Sequence, residues 1–299
     1  MNAEFLNNGV RLRWLNTAGF EIETSSGTHI LLNPFLDGVY KGITCYPFSI
    51  DKIEKCDYLL LSHIHFDHAQ NVGDLQHRFP ALNLFVPDLS ADPLCQVQDL
   101  NCARLYRTRG GESYRFDDLT IECFTGRHTE SPRGYRPSGK DFVRPDGSLD
   151  KMMWFGNLEL VNYLITTGDG TRILVWAGMT SPDQKYRLAD LRPDIALMHI
   201  SPKQDFEEFA ALTEAIGPKV VIPHHYDFTE CFFKIVPAAM NDMSEENRRQ
   251  FVHNGEFDFP AYMQALENAC RRRAPGMALL MPEHHKWYRF GFCAAGPLE

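Results

Sequence analysis

One short run restricts this 299-residue chain more than any other: His63-Ile64-His65-Phe66-Asp67-His68. An apolar stretch, Tyr58 to Leu61, leads straight into it. Three imidazoles and a carboxylate at the end of a hydrophobic strand are costly to enclose unless something binds them. Imidazole and carboxylate are ligands for zinc, iron and manganese. His63 and His65 are two positions apart, so an extended segment points both the same way. Asp67 and His68 follow as the chain turns and can address a second ion beside the first. A turn that merely happens to be rich in histidine is the weaker reading.

Composition narrows the field. Charged residues make up 23% and hydrophobic ones 44%, a globular balance, with a net charge of −9 and a pI near 5.7. That acidity argues against a nucleic-acid surface, which needs concentrated Lys and Arg. The only basic run, Arg271 to Arg273, reads as a solvated helix end. A small anionic substrate stays open, because a metal charge outweighs the global field nearby. The eight cysteines include no Cys-x-x-Cys pair, and no signal peptide or membrane span is visible. Reduced thiols and a cytoplasmic location are therefore expected. A small-molecule substrate is the expected partner, and homo-oligomerisation is left open.

Along the chain, Val10–Leu15 and Phe20–Thr24 alternate as half-buried strands, and Ser25-Ser26-Gly27 turns into His29–Leu32. Asn33-Pro34 ends that strand. A short helix over Ser49–Lys55 precedes the Tyr58 strand. Helix is expected over Ala69–Phe79 and Asp92–Asp99, and strand over Asn83–Pro87, Asn101–Tyr106 and Glu112–Phe124. Residues 131–157, rich in Gly and Pro, read as an insertion-like loop; such loops are often functional. A hairpin follows around Thr167-Gly168-Asp169-Gly170, with Asp169 as its turn residue. Asp194–Ile200 is an apolar strand ending in His199, which reads equally as a core histidine or a site residue. Phe206–Ile216 is an amphipathic helix stopped by Gly217-Pro218, and Lys219–Pro223 is a strand leading into His224-His225. Beyond Asp227 the chain reads as helical. A closing strand over Met277–Met281 then precedes His284 and His285, which could approach the pocket but read more readily as a surface tail.

The His63–His68 run, with Arg13–Thr24 and His29–Leu36 before it, resembles the metallo-β-lactamase fold superfamily, in particular broad metal-dependent hydrolases of the ascorbate-6-phosphate lactonase type. The likeness extends from about Arg11 to about Tyr226, and residues 227–299 match no motif. It implies an α/β fold: a four-layer αββα sandwich of two mixed β-sheets flanked by helices, here one domain over 1–299. It implies a first metal site of His63, His65 and His128, and a second of Asp67, His68 and His225, with His224 as fallback. It implies one or two zinc ions, with manganese or iron as alternatives, and gives Asp67 a catalytic role as well. Asn33 stands where the family usually carries an Asp supporting a ligand histidine. Met179 stands where the family usually carries a carboxylate bridging two ions. A thioether cannot replace that bridge for hard cations. Asp183 is the candidate to substitute for it, and His199 and His224 are further candidate site residues near the metals or the substrate. The implied activity is hydrolysis of an ester, lactone, amide or phosphodiester. The alternatives are iron redox chemistry and a binding protein that has lost turnover.

Overall fold

The computed structural model describes residues 9–40, 42–128, 144, 146–179, 182–202 and 204–291. In chain order, β1 (Val10–Asn16), β2 (Gly19–Thr24) and β3 (His29–Leu32) form a meander, and β4 (Val39–Tyr40) and β5 (Ile43–Thr44) a small hairpin. β6 (Tyr58–Leu60) leads into the short helix α1 (Phe66–Ala69) and then α2 (Val72–Arg78). β7 (Asn83–Pro87), α3 (Asp88–Gln98), β8 (Leu105–Thr108), β9 (Ser113–Arg115) and β10 (Leu119–Thr125) follow. Next come α4 (Lys151–Leu158), β11 (Val161–Thr167), β12 (Arg172–Trp176), α5 (Pro182–Arg187), β13 (Ile195–His199), α6 (Phe206–Ile216) and β14 (Val220–His224). The remainder is α7 (Tyr226–Ile235), α8 (Glu245–Phe251), β15 (Val252–His253), β16 (Glu256–Phe257), α9 (Phe259–Arg273), β17 (Ala278–Leu279) and β18 (Trp287–Phe290).

Two seven-stranded mixed sheets result, ordered β18-β1-β2-β3-β6-β7-β8 and β17-β14-β13-β12-β11-β10-β9. Strand alternation explains how they stack. Leu12 and Trp14 of β1 and Phe20 and Ile22 of β2 face Ile121, Tyr163, Ile165 and Val175 of the other sheet in a shared core. The opposite face of the first sheet, with Leu31, Leu59 and Leu84, buries Val72 and Leu75 of α2 and Leu94 of α3. The outer face of the second, with Leu174, Ala196 and Val221, buries Phe209 and Leu212 of α6 and Leu266 of α9. This is the expected αββα sandwich of two mixed sheets flanked by helices.

Several local expectations change. The helix expected over Ala69–Phe79 divides into α1 and α2, because the ligand run itself supplies the first turn. The segment 101–106 begins as a 3₁₀ turn, Cys102–Arg104, capped by the Asn101 side chain, before β8. Part of the loop expected over 131–157 is helix: Asp150 caps α4 through a 3.2 Å bond from the Met153 N–H. Of the basic and aromatic side chains of this loop that could meet an anionic substrate, Tyr135, Arg136 and Lys140 lie outside the described residues. The closing part of the chain completes both sheets. β17 pairs with β14, and β18 pairs antiparallel with β1, Leu12 opposite Tyr288. Among the described residues no helix is long and apolar enough to cross a membrane.

Candidate metal centre

The ligand run leaves β6 at one end of the first sheet. It is met there by the ends of β10, β13 and β14 from the second. Backbone bonds lock the junction: the Val161 N–H donates to the Ser62 carbonyl at 2.9 Å, and the His225 N–H to the Thr17 carbonyl at 3.1 Å. Two groups of donors result. His63, His65 and His128 form one, and Asp67, His68 and His225 the other, with the ligand atoms of each group within 4.8 Å of one another.

The first group is shaped for an ion. His63 Nε2 and His65 Nδ1 converge to 3.1 Å. Two nitrogens each ~2.05 Å from one zinc are separated by about 2.9 Å at a right angle and about 3.3 Å at the tetrahedral angle. The observed spacing falls between these. His65 Nε2 is buried without a hydrogen bond, the Met153 backbone lies beside the ring, and Nδ1 is the nitrogen turned towards His63. Gly156 of α4 lies directly over that ring. A Cβ there would sit 2.2 Å from His65 Cδ2, so only glycine lets the helix close on the histidine. His128, after β10, completes the group, its ring 4.9 Å from His63 and 4.5 Å from His65.

Protonation states follow from the partners. Ser62 Oγ lies 3.0 Å from His63 Nδ1 and 3.3 Å from His68 Nδ1, and donates to Asn33 Oδ1 at 2.9 Å. A hydroxyl has one proton and two lone pairs. With its proton committed to Asn33, it accepts from both rings, and both present a bare Nε2. The two ligand groups are thus set by one hydroxyl. Asn33 itself, at φ +41°, also accepts from the Ser62 N–H at 2.8 Å. It supports the histidines through Ser62 rather than by direct contact, a relay the sequence reading did not contain.

In the second group His225 Nε2 lies 3.0 Å and His68 Nε2 3.7 Å from Asp67 Oδ2. Burial would raise the Asp67 carboxyl, but His68 and the bond and charge of His225 hold it well below the usual carboxylate range. Burial likewise pushes His225 down, and the Asp67 hydrogen bond and charge reverse this and raise it. Burial and the neighbouring histidines push His63 well below its ordinary value; burial does the same to His68, despite the Asp67 charge.

The adjacent histidines 224 and 225 separate by backbone conformation. His225 has φ +73° and caps α7, which swings its ring towards Asp67. His224 stays on the strand, and its Nε2 bonds the Trp176 carbonyl at 3.2 Å inside the sandwich. It lies in the core and in neither group of donors. His199 is buried 4.6 Å from the His225 ring with Nδ1 unpartnered, beside the second group and in neither. Met179 is held next to the His128 segment by a 2.9 Å bond from its N–H to the Arg127 carbonyl. The Asp183 side chain lies outside the described residues. Asp169 is a turn residue, as expected, accepting from Thr171 N–H at 3.1 Å and Gly9 N–H at 2.6 Å.

Besides Ser62 and Gly156, three supporting residues were missed. Thr17 donates its hydroxyl to the Asp67 carbonyl at 3.1 Å and its N–H to Asp227 Oδ2 at 2.8 Å. Asp227 Oδ2 also bonds His284 Nε2 at 2.9 Å. His284 is not in a surface tail: its ring is stacked between Trp14 at 3.9 Å and Tyr46 at 3.6 Å. Only Ser62 had a sequence cue, its position next to His63.

Residues 11–225 match the model of the beta-lactamase superfamily domain, 215 of the chain's 299 residues. The chain belongs to this family. Among curated proteins it is similar to a metal-dependent hydrolase of Koribacter versatilis, 25% identical over 222 residues, covering 73% of this chain and 84% of the relative. A metal-dependent hydrolase of Aeropyrum pernix is 25% identical over 230 residues, covering 72% and 82%. Among solved structures, Igni18, a metallo hydrolase from Ignicoccus hospitalis, superposes with a TM-score of 0.61 at 16% identity, covering 95% of this chain and 99% of that one. CmlA, a diiron β-hydroxylase from Streptomyces venezuelae, superposes with a TM-score of 0.60 at 15% identity, covering 95% of this chain and 54% of that one. Family and relatives agree on a metal-dependent hydrolase of this superfamily, and the donor geometry agrees with a metal site.

Proposed function

We propose that the chain is a zinc hydrolase acting on an ester, lactone, amide or phosphodiester of a small anionic molecule. The observation that carries this reading is the pair of adjoining donor groups, set by one hydroxyl into the tautomers a metal needs. His63, His65 and His128 would hold one ion and Asp67, His68 and His225 a second. Such an ion supplies Lewis-acid polarisation and a water ionised near neutral pH. The protein's own contribution is placement and proton control. Asp67, unprotonated at neutral pH, is the group positioned to take the proton of the attacking water. The Ser62 relay keeps His63 and His68 from turning. His199, neutral and buried beside His225, offers a ring nitrogen to a substrate oxygen. With Met179 at the bridging position, the six donors include a single carboxylate. Positive charge is then poorly compensated, which favours an anionic substrate and weakens retention of the second ion.

A second reading rests on one feature. Asp67, His68 and His225 are two histidines and a carboxylate, a donor set that also suits non-haem iron. Elemental analysis of protein purified without chelator separates the two. Zinc near two per chain, with hydrolysis of model esters or phosphodiesters, supports the first reading. Iron with a visible absorbance and no hydrolysis replaces it with the second.

A further inference from the structure

The cysteines were expected to be reduced thiols with no Cys-x-x-Cys pair, yet Cys45 meets Cys231 and, nearer the solvent, Cys95 meets Cys102. Cys95, in the last turn of α3, and Cys102, at the start of the following 3₁₀ turn, have their Sγ atoms 2.7 Å apart. Two unbonded sulfurs touch at about 3.6 Å, whereas a disulfide spans about 2.05 Å. The fold thus holds the pair well inside non-bonded contact. The turn between them does this. Asp99 ends α3 in the left-handed conformation at φ +51°, and the Leu100 N–H returns to the Cys95 carbonyl at 3.2 Å.

The turn is also tied to the ligand run. The Gln98 side chain donates to the Ala69 carbonyl at 2.6 Å and accepts from the Gly73 N–H at 2.7 Å. Gln76 and Asn101 exchange a second pair, at 2.7 Å and 2.9 Å. The segment 95–102 therefore braces α1 and α2, the turn that carries Asp67 and His68.

We propose that Cys95 and Cys102 are a disulfide-forming site, closed by a peroxide-class oxidant, that staples this brace. Cys102 is exposed and Cys95 half-buried, which fixes the order of events. The Cys102 thiolate attacks a peroxide oxygen, breaking the O–O bond and becoming a sulfenic acid as water leaves. Cys95 Sγ then attacks the Cys102 sulfur and displaces a second water. Two thiols lose two electrons and two protons, and one peroxide is reduced to two waters. Burial and the Cys102 contact push the Cys95 thiol up to about 12, consistent with its acting second.

The test uses the full-length protein before and after hydrogen peroxide, alkylated and digested with trypsin. No Lys or Arg lies between Phe79 and Ala103, so both cysteines fall in the single peptide 79–104. The expected product is that peptide two hydrogen masses lighter and unalkylated at both sites, restored by dithiothreitol, with the melting temperature of the oxidised protein raised by a few degrees. Cys95→Ser should give instead a sulfenic or higher acid at Cys102 and no rise. Both thiols of the wild type remaining alkylatable, or Cys102 overoxidising as fast in wild type as in Cys95→Ser, would overturn the proposal. These readouts need no bound metal, so they stand apart from the hydrolase reading.

Discussion

The Asp67 carboxylate and the His225 imidazole meet at 3.0 Å although 158 positions separate them in the chain. One leaves the first sheet and the other the second. Their contact is where the sandwich becomes a site, and both groups shift in the direction that keeps the pair charged.

That pair gives the metal-free protein a defined pH response. His63, His65, His68, His199, His224 and His285 sit below their ordinary value in the fold, so the unfolded chain binds more protons as pH drops through about 6.5. Their contribution to stability is lost towards acid. His225 is raised, so its contribution is present below about 6.5 and lost as pH climbs through its folded value. With six lowered and one raised, the urea midpoint of chelator-treated protein should fall from pH 7 to pH 5. A midpoint flat across that range would show that these histidines are not held neutral in the fold.

Ser62→Ala should weaken metal binding by about 10- to 100-fold without unfolding the chain, because both Nδ1 partners go at once. Asn33→Asp keeps both bonds from Ser62 and adds a charge, so it should tighten binding. Competition with a chromogenic chelator measures both. Equal affinity in Ser62→Ala and wild type would remove the hydroxyl from the site.

Gly156→Ala opposes two effects. Helix propensity alone would favour alanine by about 1 kcal/mol. The added methyl would lie 2.2 Å from His65 Cδ2, a clash neither the helix nor a ligand ring can absorb. The clash should win, with loss of metal at the first group and a lower melting temperature. A stabilised variant with full metal content would mean that α4 does not cap His65.

Met179→Asp should raise the ions retained per chain after dialysis, since it returns a carboxylate to a set that has one. Elemental analysis of both proteins reads this directly. An unchanged count near two would mean that the second ion never depended on that position.

His284→Ala should cost about 2–3 kcal/mol in chemical denaturation, from a hydrogen bond to a buried carboxylate and a ring stacked on both faces. A change within 0.5 kcal/mol would return the segment after β17 to the role of a tail.

Much of the site was legible because its densest part is local. His63, His65, Asp67 and His68 are adjacent in sequence, and the period of a strand followed by a turn already sorts them into two directions. The sheets were legible for the same reason: β1, β2 and β13 carry their pattern within a few residues. β18 was not, since Trp287–Phe290 becomes a strand only by pairing with β1. Short edge strands carry little pattern of their own.

The sequence by itself determined the donor types and the strand that delivers four of them, because these are properties of residues and of local periodicity; only the resemblance to the family marked Met179 as standing where a carboxylate is usual. Tertiary structure alone decided between His224 and His225, through a left-handed backbone that turns one ring out of the core. It alone joined Ser62 to two ligand groups, Thr17 to Asp227, Gly156 to His65 and Cys95 to Cys102. Such contacts depend on how two sheets and their connecting turns close on one another, and no short window of sequence contains that distance.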